Sequence, residues 1–122
     1  MNEYNSNVLA YIGDAYFELY IRNFLLNVCK LKTNDLHKNA IKYTSAIGQL
    51  KIIESIMDKL DEEELTIFKR GRNTQTSHKP KNVNIQTYHI ATGFECLVGY
   101  LYLEKREERL EYLLSEGIKI IE

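Results

Sequence analysis

A chain of 122 residues, 44% apolar and 27% charged, fits one domain with a modest core and excludes an intrinsically disordered polypeptide. Its 16 Lys and Arg against 17 Asp and Glu give a formal charge of -1, so bulk charge names no polyanionic partner and the case for one must rest on where the charges sit. The start MNEYNSN lacks the basic opening of a signal peptide and no run is apolar enough to span a bilayer, so the expectation is a soluble cytoplasmic protein whose two cysteines, Cys29 and Cys96, are buried free thiols.

The spacing of apolar residues predicts helix almost throughout. A first helix runs from about Ser6 to Asn27, with Val8, Leu9, Ile12, Tyr16, Leu19 and Tyr20 on one stripe and Phe17 and Ile21 on another face. Being apolar on most sides, it is expected to be central and buried. A second helix opens near Asn34 or Asp35 and turns Leu36, Ala40, Ile41 and Tyr43 inward. A short third carries Ala46, Leu50, Ile53, Ile56 and Met57. The fourth opens at Asp61, where Asp61 and Glu64 make a capping-box pattern and the acids 61–64 suit the positive end of the helix dipole; it ends near Arg70–Gly71. A polar loop, RNTQTSHKPKNVN, holds the single proline, Pro80. Asn84 caps a fifth helix to about Glu104, and a sixth covers Glu107 to Ile121 with Leu110, Leu113, Leu114, Ile118 and Ile121 on one side. The fold class is therefore all-α, about six or seven helices, as a single domain over residues 1–122.

Two acids interrupt otherwise apolar helical runs: Asp14 in LAYIGDAYFELY and Glu95 in TGFECLVGYLYL. A carboxylate in an apolar setting is costly unless it is paired, hydrogen-bonded or bound to a cation. Gly13, Gly93 and Gly99 lie beside them, and helical glycine suggests close helix crossing or close approach of a ligand. Two readings stand open on the pattern alone: a buried salt bridge, for example to Arg22, or a metal site. Glu18, one turn after Asp14, reads as a third ligand or as a surface glutamate, the second being preferred. Magnesium held by carboxylates supplies what phosphodiester hydrolysis needs, charge neutralisation and an activated water.

No acid falls between Glu64 and Glu95, so the balanced net charge hides a basic block. Lys69, Arg70, Arg72, Asn73, Thr76, Ser77, His78, Lys79, Lys81 and Asn82 can reach phosphates and ribose hydroxyls. Double-stranded RNA, read through shape, phosphates and 2′-hydroxyls, fits this set better than stacked single strands do. The alternative is a solvated loop that only aids solubility. His37 and His89 have no ligand spacing, and the nine tyrosines fit packing, with Tyr100 and Tyr102 candidates for a dimer contact.

LAYIGDAYFELYIR resembles the signature helix of the ribonuclease III family, and TGFECLVGYLYL resembles its second acidic helix. With KRGRN and KPKN between them, the chain resembles the Mini-ribonuclease III branch, and the resemblance covers nearly the whole chain. It implies an all-helical, homodimeric catalytic domain and magnesium-dependent cleavage of double-stranded RNA, with manganese able to substitute. For the branch it implies maturation of the large-subunit (23S) ribosomal RNA precursor; a ribosomal protein is a further candidate partner. The family's catalytic aspartate maps to Asp14 and its late metal-binding glutamate to Glu95; the RNA-gripping segment maps to Lys69–Lys81. The expected products carry 5′-phosphate and 3′-hydroxyl ends. Where larger members carry further acids, this chain has Asn7, Ala10 and Thr92, and no separate double-stranded-RNA-binding domain is expected. The competing reading is a non-catalytic RNA-binding or ribosome-associated module on the same fold.

Overall fold

A computed structural model of the chain describes residues 4–28, 32–74 and 84–121. Its helices are α1 (Ser6–Val28), α2 (Thr33–Thr44), α3 (Ala46–Ile56), α4 (Glu62–Arg72), α5 (Ile85–Leu103) and α6 (Glu107–Gly117). Single 3₁₀ turns, Met57–Lys59 and Ile118–Ile120, follow α3 and α6. No strand occurs among the described residues, and none of their helices is long and apolar enough to cross a membrane.

The caps lie where local chemistry demands them. Asp61 accepts from the Glu64 backbone N–H at 2.8 Å, and the Glu64 carboxylate accepts from the Asp61 N–H at 3.0 Å, completing a capping box. Asn84 Oδ1 accepts from the N–H groups of Gln86 and Thr87, opening α5. Ser45 Oγ does the same for Gly48 at the head of α3. Helix ends fall within a few residues of the sequence expectation; α4 runs on to Arg72, and the last turn of the sixth helix tightens into the 3₁₀ turn.

The central helix is α5, not α1. Ala91, Phe94, Cys96, Leu97, Val98, Tyr100 and Leu101 are buried around nearly its whole circumference, because α1, α3, α4 and α6 all pack against it. On α1 the buried line is Leu9, Gly13, Phe17, Ile21 and Leu25, a four-residue repeat. Val8 and Leu19, expected inward, are exposed, as is Ile41 on α2. Phe17 meets Phe94 edge-to-face with centroids 5.0 Å apart, which fixes which face of α1 looks inward. Tyr100 is buried within the chain, so it is not free to line a dimer contact; Tyr102 is exposed and lies against Tyr16.

Two glycines set the α1–α5 crossing. A Cβ on Gly13 would collide with the Glu95 carbonyl oxygen, and one on Gly99 with the Leu9 carbonyl oxygen. Any side chain there would push the helices apart. The backbones thus touch at the level where α1 carries Asp14 and α5 carries Glu95.

Candidate active site

The crossing brings Asp14 and Glu95 together, close enough for the Asp14 carboxylate to act directly on the Glu95 carboxyl. Their surroundings differ. Asp14 is exposed, so the burial cost expected for both acids falls on Glu95 alone, which is half-buried. Burial first, and then the negative charge of Asp14, push the Glu95 carboxyl up to about 8. The Gln49 amide opposes that shift: its Nε2 donates to Glu95 Oε2 at 3.2 Å.

The salt-bridge reading is not supported. Among the described residues no Lys or Arg pairs with either acid, and Arg22 pairs instead with Glu18 at 3.5 Å on the surface of α1. That pairing accounts for Glu18 as a surface glutamate, although its charge still reaches Glu95. Among the described residues no group of three or more His, Cys, Asp or Glu is gathered as a metal cage. The positions where the resemblance leads one to expect further acids add no carboxylate: Ala10 has no ligand atom, Asn7 is exposed, and the Thr92 hydroxyl donates to the Tyr88 carbonyl within α5 at 2.9 Å. The site is therefore a pair of carboxylates open to solvent on the Asp14 side.

The basic block begins on the last turns of α4. Lys69 and Arg70 are exposed there. The Arg70 charge reaches the Cys96 thiol, next in sequence to Glu95. Arg72 is more engaged, its guanidinium 5.8 Å from the Phe68 ring and its Nε donating to Asn73 Oδ1 at 3.3 Å. Thr76, Ser77, His78, Lys79, Lys81 and Asn82 lie outside the described residues, as does Cys29. Cys96 is a buried free thiol as expected; burial pushes it up to about 12, and it donates to the Ser6 carbonyl at 3.0 Å. An open depression of about 840 Å³ between α4 and the end of α5 is lined by Lys69, Arg70, Tyr100 and Arg106 together with acids, but by neither Asp14 nor Glu95.

One member of the site escapes the sequence reading. Gln49 is 2% exposed and touches Glu95 from α3. No local signal marks it: SAIGQLKIIESIM also carries Lys51, Glu54 and Ser55, so the amide is one polar residue among several.

Residues 7–106 match the family model described as Ribonuclease III domain, which is the class that a helical fold with acids on two crossed helices defines. The chain is 44% identical over 123 residues to the Mini-ribonuclease 3 of Clostridium tetani, covering 100% of this chain and 82% of that protein. It is also 44% identical to the Mini-ribonuclease 3 of Enterococcus faecalis, covering 94% of this chain and 89% of the relative. A crystal structure of protein FN1578 from Fusobacterium nucleatum superposes with a TM-score of 0.86 at 33% identity, covering 97% of this chain and 94% of that one. The chain belongs to the ribonuclease III family, on its Mini-ribonuclease 3 branch.

Proposed function

We propose that this chain is a metal-dependent endoribonuclease that cuts double-stranded RNA in the cytoplasm, acting on the precursor of the large-subunit (23S) ribosomal RNA. The observation that carries the reading is the contact between Asp14 and Glu95 with no cationic side chain among the described residues to balance them. A carboxyl that burial first, and then the facing carboxylate, holds protonated near neutral pH is a site suited to a hard divalent cation. Asp14 and Glu95 are the residues that would hold magnesium, or manganese in its place. When bound, the ion supplies charge neutralisation at the phosphate and a water of lowered pKa.

The chain's own residues divide the remaining work. Glu95 sits on the central helix, so its backbone is fixed by packing around most of that helix. Asp14 sits one residue from the glycine contact and faces solvent, from which the RNA backbone must approach. Lys69 and Arg70 anchor phosphates without reading sequence. Hydrolysis leaves 5′-phosphate and 3′-hydroxyl ends. The exposed apolar side chains Val8, Tyr11 and Leu19 on α1, the helix that carries Asp14, support a homodimer with one site for each strand.

The test is incubation with duplex RNA, with and without magnesium, resolved on a denaturing gel. Cleavage that needs the metal and is lost in Asp14→Asn and Glu95→Gln is expected. Binding without cleavage would instead indicate an RNA-binding module, and full cleavage by both folded variants would overturn the assignment of the site.

A further inference from the structure

We infer that Gln49 is a positioning residue for the carboxylate pair, a buried amide clamp that holds Glu95 in the orientation in which it receives a divalent cation. This role rests on the nuclease reading above and extends it to a residue outside the two acidic helices.

A glutamine amide has two N–H donors on Nε2 and an acceptor oxygen. Gln49 Nε2 lies 3.2 Å from Glu95 Oε2 and 3.2 Å from the Thr44 carbonyl oxygen. The Thr44 carbonyl can only accept, so the NH₂ end must face it and the same nitrogen donates to Glu95 Oε2; the reverse orientation would set the amide oxygen against the carbonyl oxygen. Both hydrogens are then committed, one to the main chain and one to Glu95.

The mount is rigid. Gln49 stands in the first turn of α3, where its own N–H donates to the Ser45 carbonyl and Ser45 Oγ caps the helix at Gly48. A Cβ on Gly48 would collide with the Lys42 carbonyl oxygen, so the α2–α3 junction is closed backbone against backbone. The amide therefore transmits the position of that junction to Glu95.

The arrangement is also one that folding alone would not favour. Gln49 Oε1 is buried and has no hydrogen-bond partner among the described residues, and an unsatisfied buried acceptor costs stability. A methionine or leucine would fill the space without that cost. What the amide provides in return is a fixed donor on a carboxylate that has no cationic side chain paired with it among the described residues, the role that outer hydrogen-bond partners play for metal-ligating groups.

The experiment compares the parent chain with Gln49→Met and Gln49→Leu. Three quantities are read: Mn²⁺ affinity without RNA by electron paramagnetic resonance, kcat and KM on a defined duplex, and the melting temperature. A positioning role predicts Mn²⁺ binding weakened by about tenfold or more and kcat lowered by roughly 10- to 100-fold, with KM within about twofold. Parental Mn²⁺ affinity and kcat in either folded variant would overturn it. Should neither variant fold, the side-chain NH₂ resonances of Gln49 in the parent chain decide. They are expected to shift in Glu95→Ala and to broaden on adding Mn²⁺; resonances that do neither would overturn the inference. A parent chain that binds no Mn²⁺ and cuts no duplex would defeat the nuclease reading itself, whereas an active parent with indifferent Gln49 variants defeats this inference alone.

Discussion

Two inward-facing glutamates in this molecule are treated in opposite ways. Glu64 is 0% exposed and fully satisfied: Arg109 Nε and Nη2 each donate to it at 2.8 Å, and the Asp61 N–H adds a third bond at 3.0 Å. Arg109 also donates to the Lys59 carbonyl at 2.7 Å, so the pair ties the head of α4 to α6. Glu95 receives one amide hydrogen at 3.2 Å and faces another carboxylate. The two differ in depth, but the sharper difference is charge balance, and on the proposed reading that is what separates the structural acid from the functional one. A carboxylate whose field is already cancelled by a bidentate guanidinium has nothing left to offer a ligand. One left unbalanced on a rigid helix is poised to take a cation.

The largest effect that would test this contrast is on cleavage. Glu95→Gln and Asp14→Asn are expected to lower duplex cleavage by roughly 10²- to 10³-fold, since a metal's charge stabilisation is worth several kcal/mol and about 1.4 kcal/mol is tenfold. Glu64→Gln should leave the rate per folded molecule unchanged. Stability should divide the other way. Glu64→Gln removes the charge from a buried pair and leaves the Arg109 guanidinium without its anion, a loss of about 3–5 kcal/mol in urea unfolding. That is a large part of the roughly 5–15 kcal/mol that holds a domain folded. Glu95→Gln removes a repulsion and should cost nothing. If both glutamines destabilised the fold equally, charge balance would be the wrong criterion.

Much of this contrast is legible in the sequence, and the rest is hidden there for a physical reason. The capping half of Glu64's role is local, Asp61 and Glu64 being three residues apart, so spacing along the chain exposes it. Its Arg109 half spans 45 residues and comes from tertiary packing alone. Asp14 and Glu95 stand out because an acid inside an apolar helical run is conspicuous. Gln49 does not, because an amide in a helix is unremarkable until its neighbours are known. The inward face of α1 is hidden for a similar reason: with Leu19 and Phe17 both available, periodicity alone cannot choose, and contact with Phe94 on α5 decides. The close approach at Gly13 and Gly99 is legible, since a helical glycine marks a place where something comes near the backbone; that the neighbour is another helix and not a ligand is decided by packing.

A smaller effect separates the two glutamates by pH. Glu95 ordinarily titrates near 4.5 and in the fold near 8. Below 4.5 the folded and unfolded chains both hold the proton. Between those values the unfolded chain releases it while the folded chain keeps it, so metal-free stability falls as pH rises across that window. At about 1.4 kcal/mol per pKa unit, discounted for the solvent that reaches a half-buried group, the fall is roughly 1–3 kcal/mol. On the proposed reading magnesium would compete with that proton, so its stabilising effect should be larger at about pH 8 than at about pH 5.5. Thermal melts of the parent and Glu95→Gln, with and without magnesium, check this. The fall with pH should be smaller in the variant, and an identical slope in both would assign it to other groups.

The smallest effect concerns what balances Glu64. Arg106 also stands near it, 3.9 Å away, but touches Glu63 at 3.2 Å and Asp61 at 3.8 Å and is itself 37% exposed. Such surface pairs are worth about 0–1 kcal/mol, because solvent screens them and holding long side chains in place costs entropy. Arg106→Ala keeps the backbone N–H that donates to the Leu101 carbonyl, so the turn into α6 survives the substitution. Its cost should therefore stay under about 1 kcal/mol and shrink further in high salt. Arg109→Ala instead strands a buried carboxylate and should cost about 3–5 kcal/mol, with little response to salt. Urea titrations of the two variants at low and high salt make the comparison. Equal losses would mean that Glu64 is held by a shared network, and a single guanidinium fork would no longer be what separates it from Glu95.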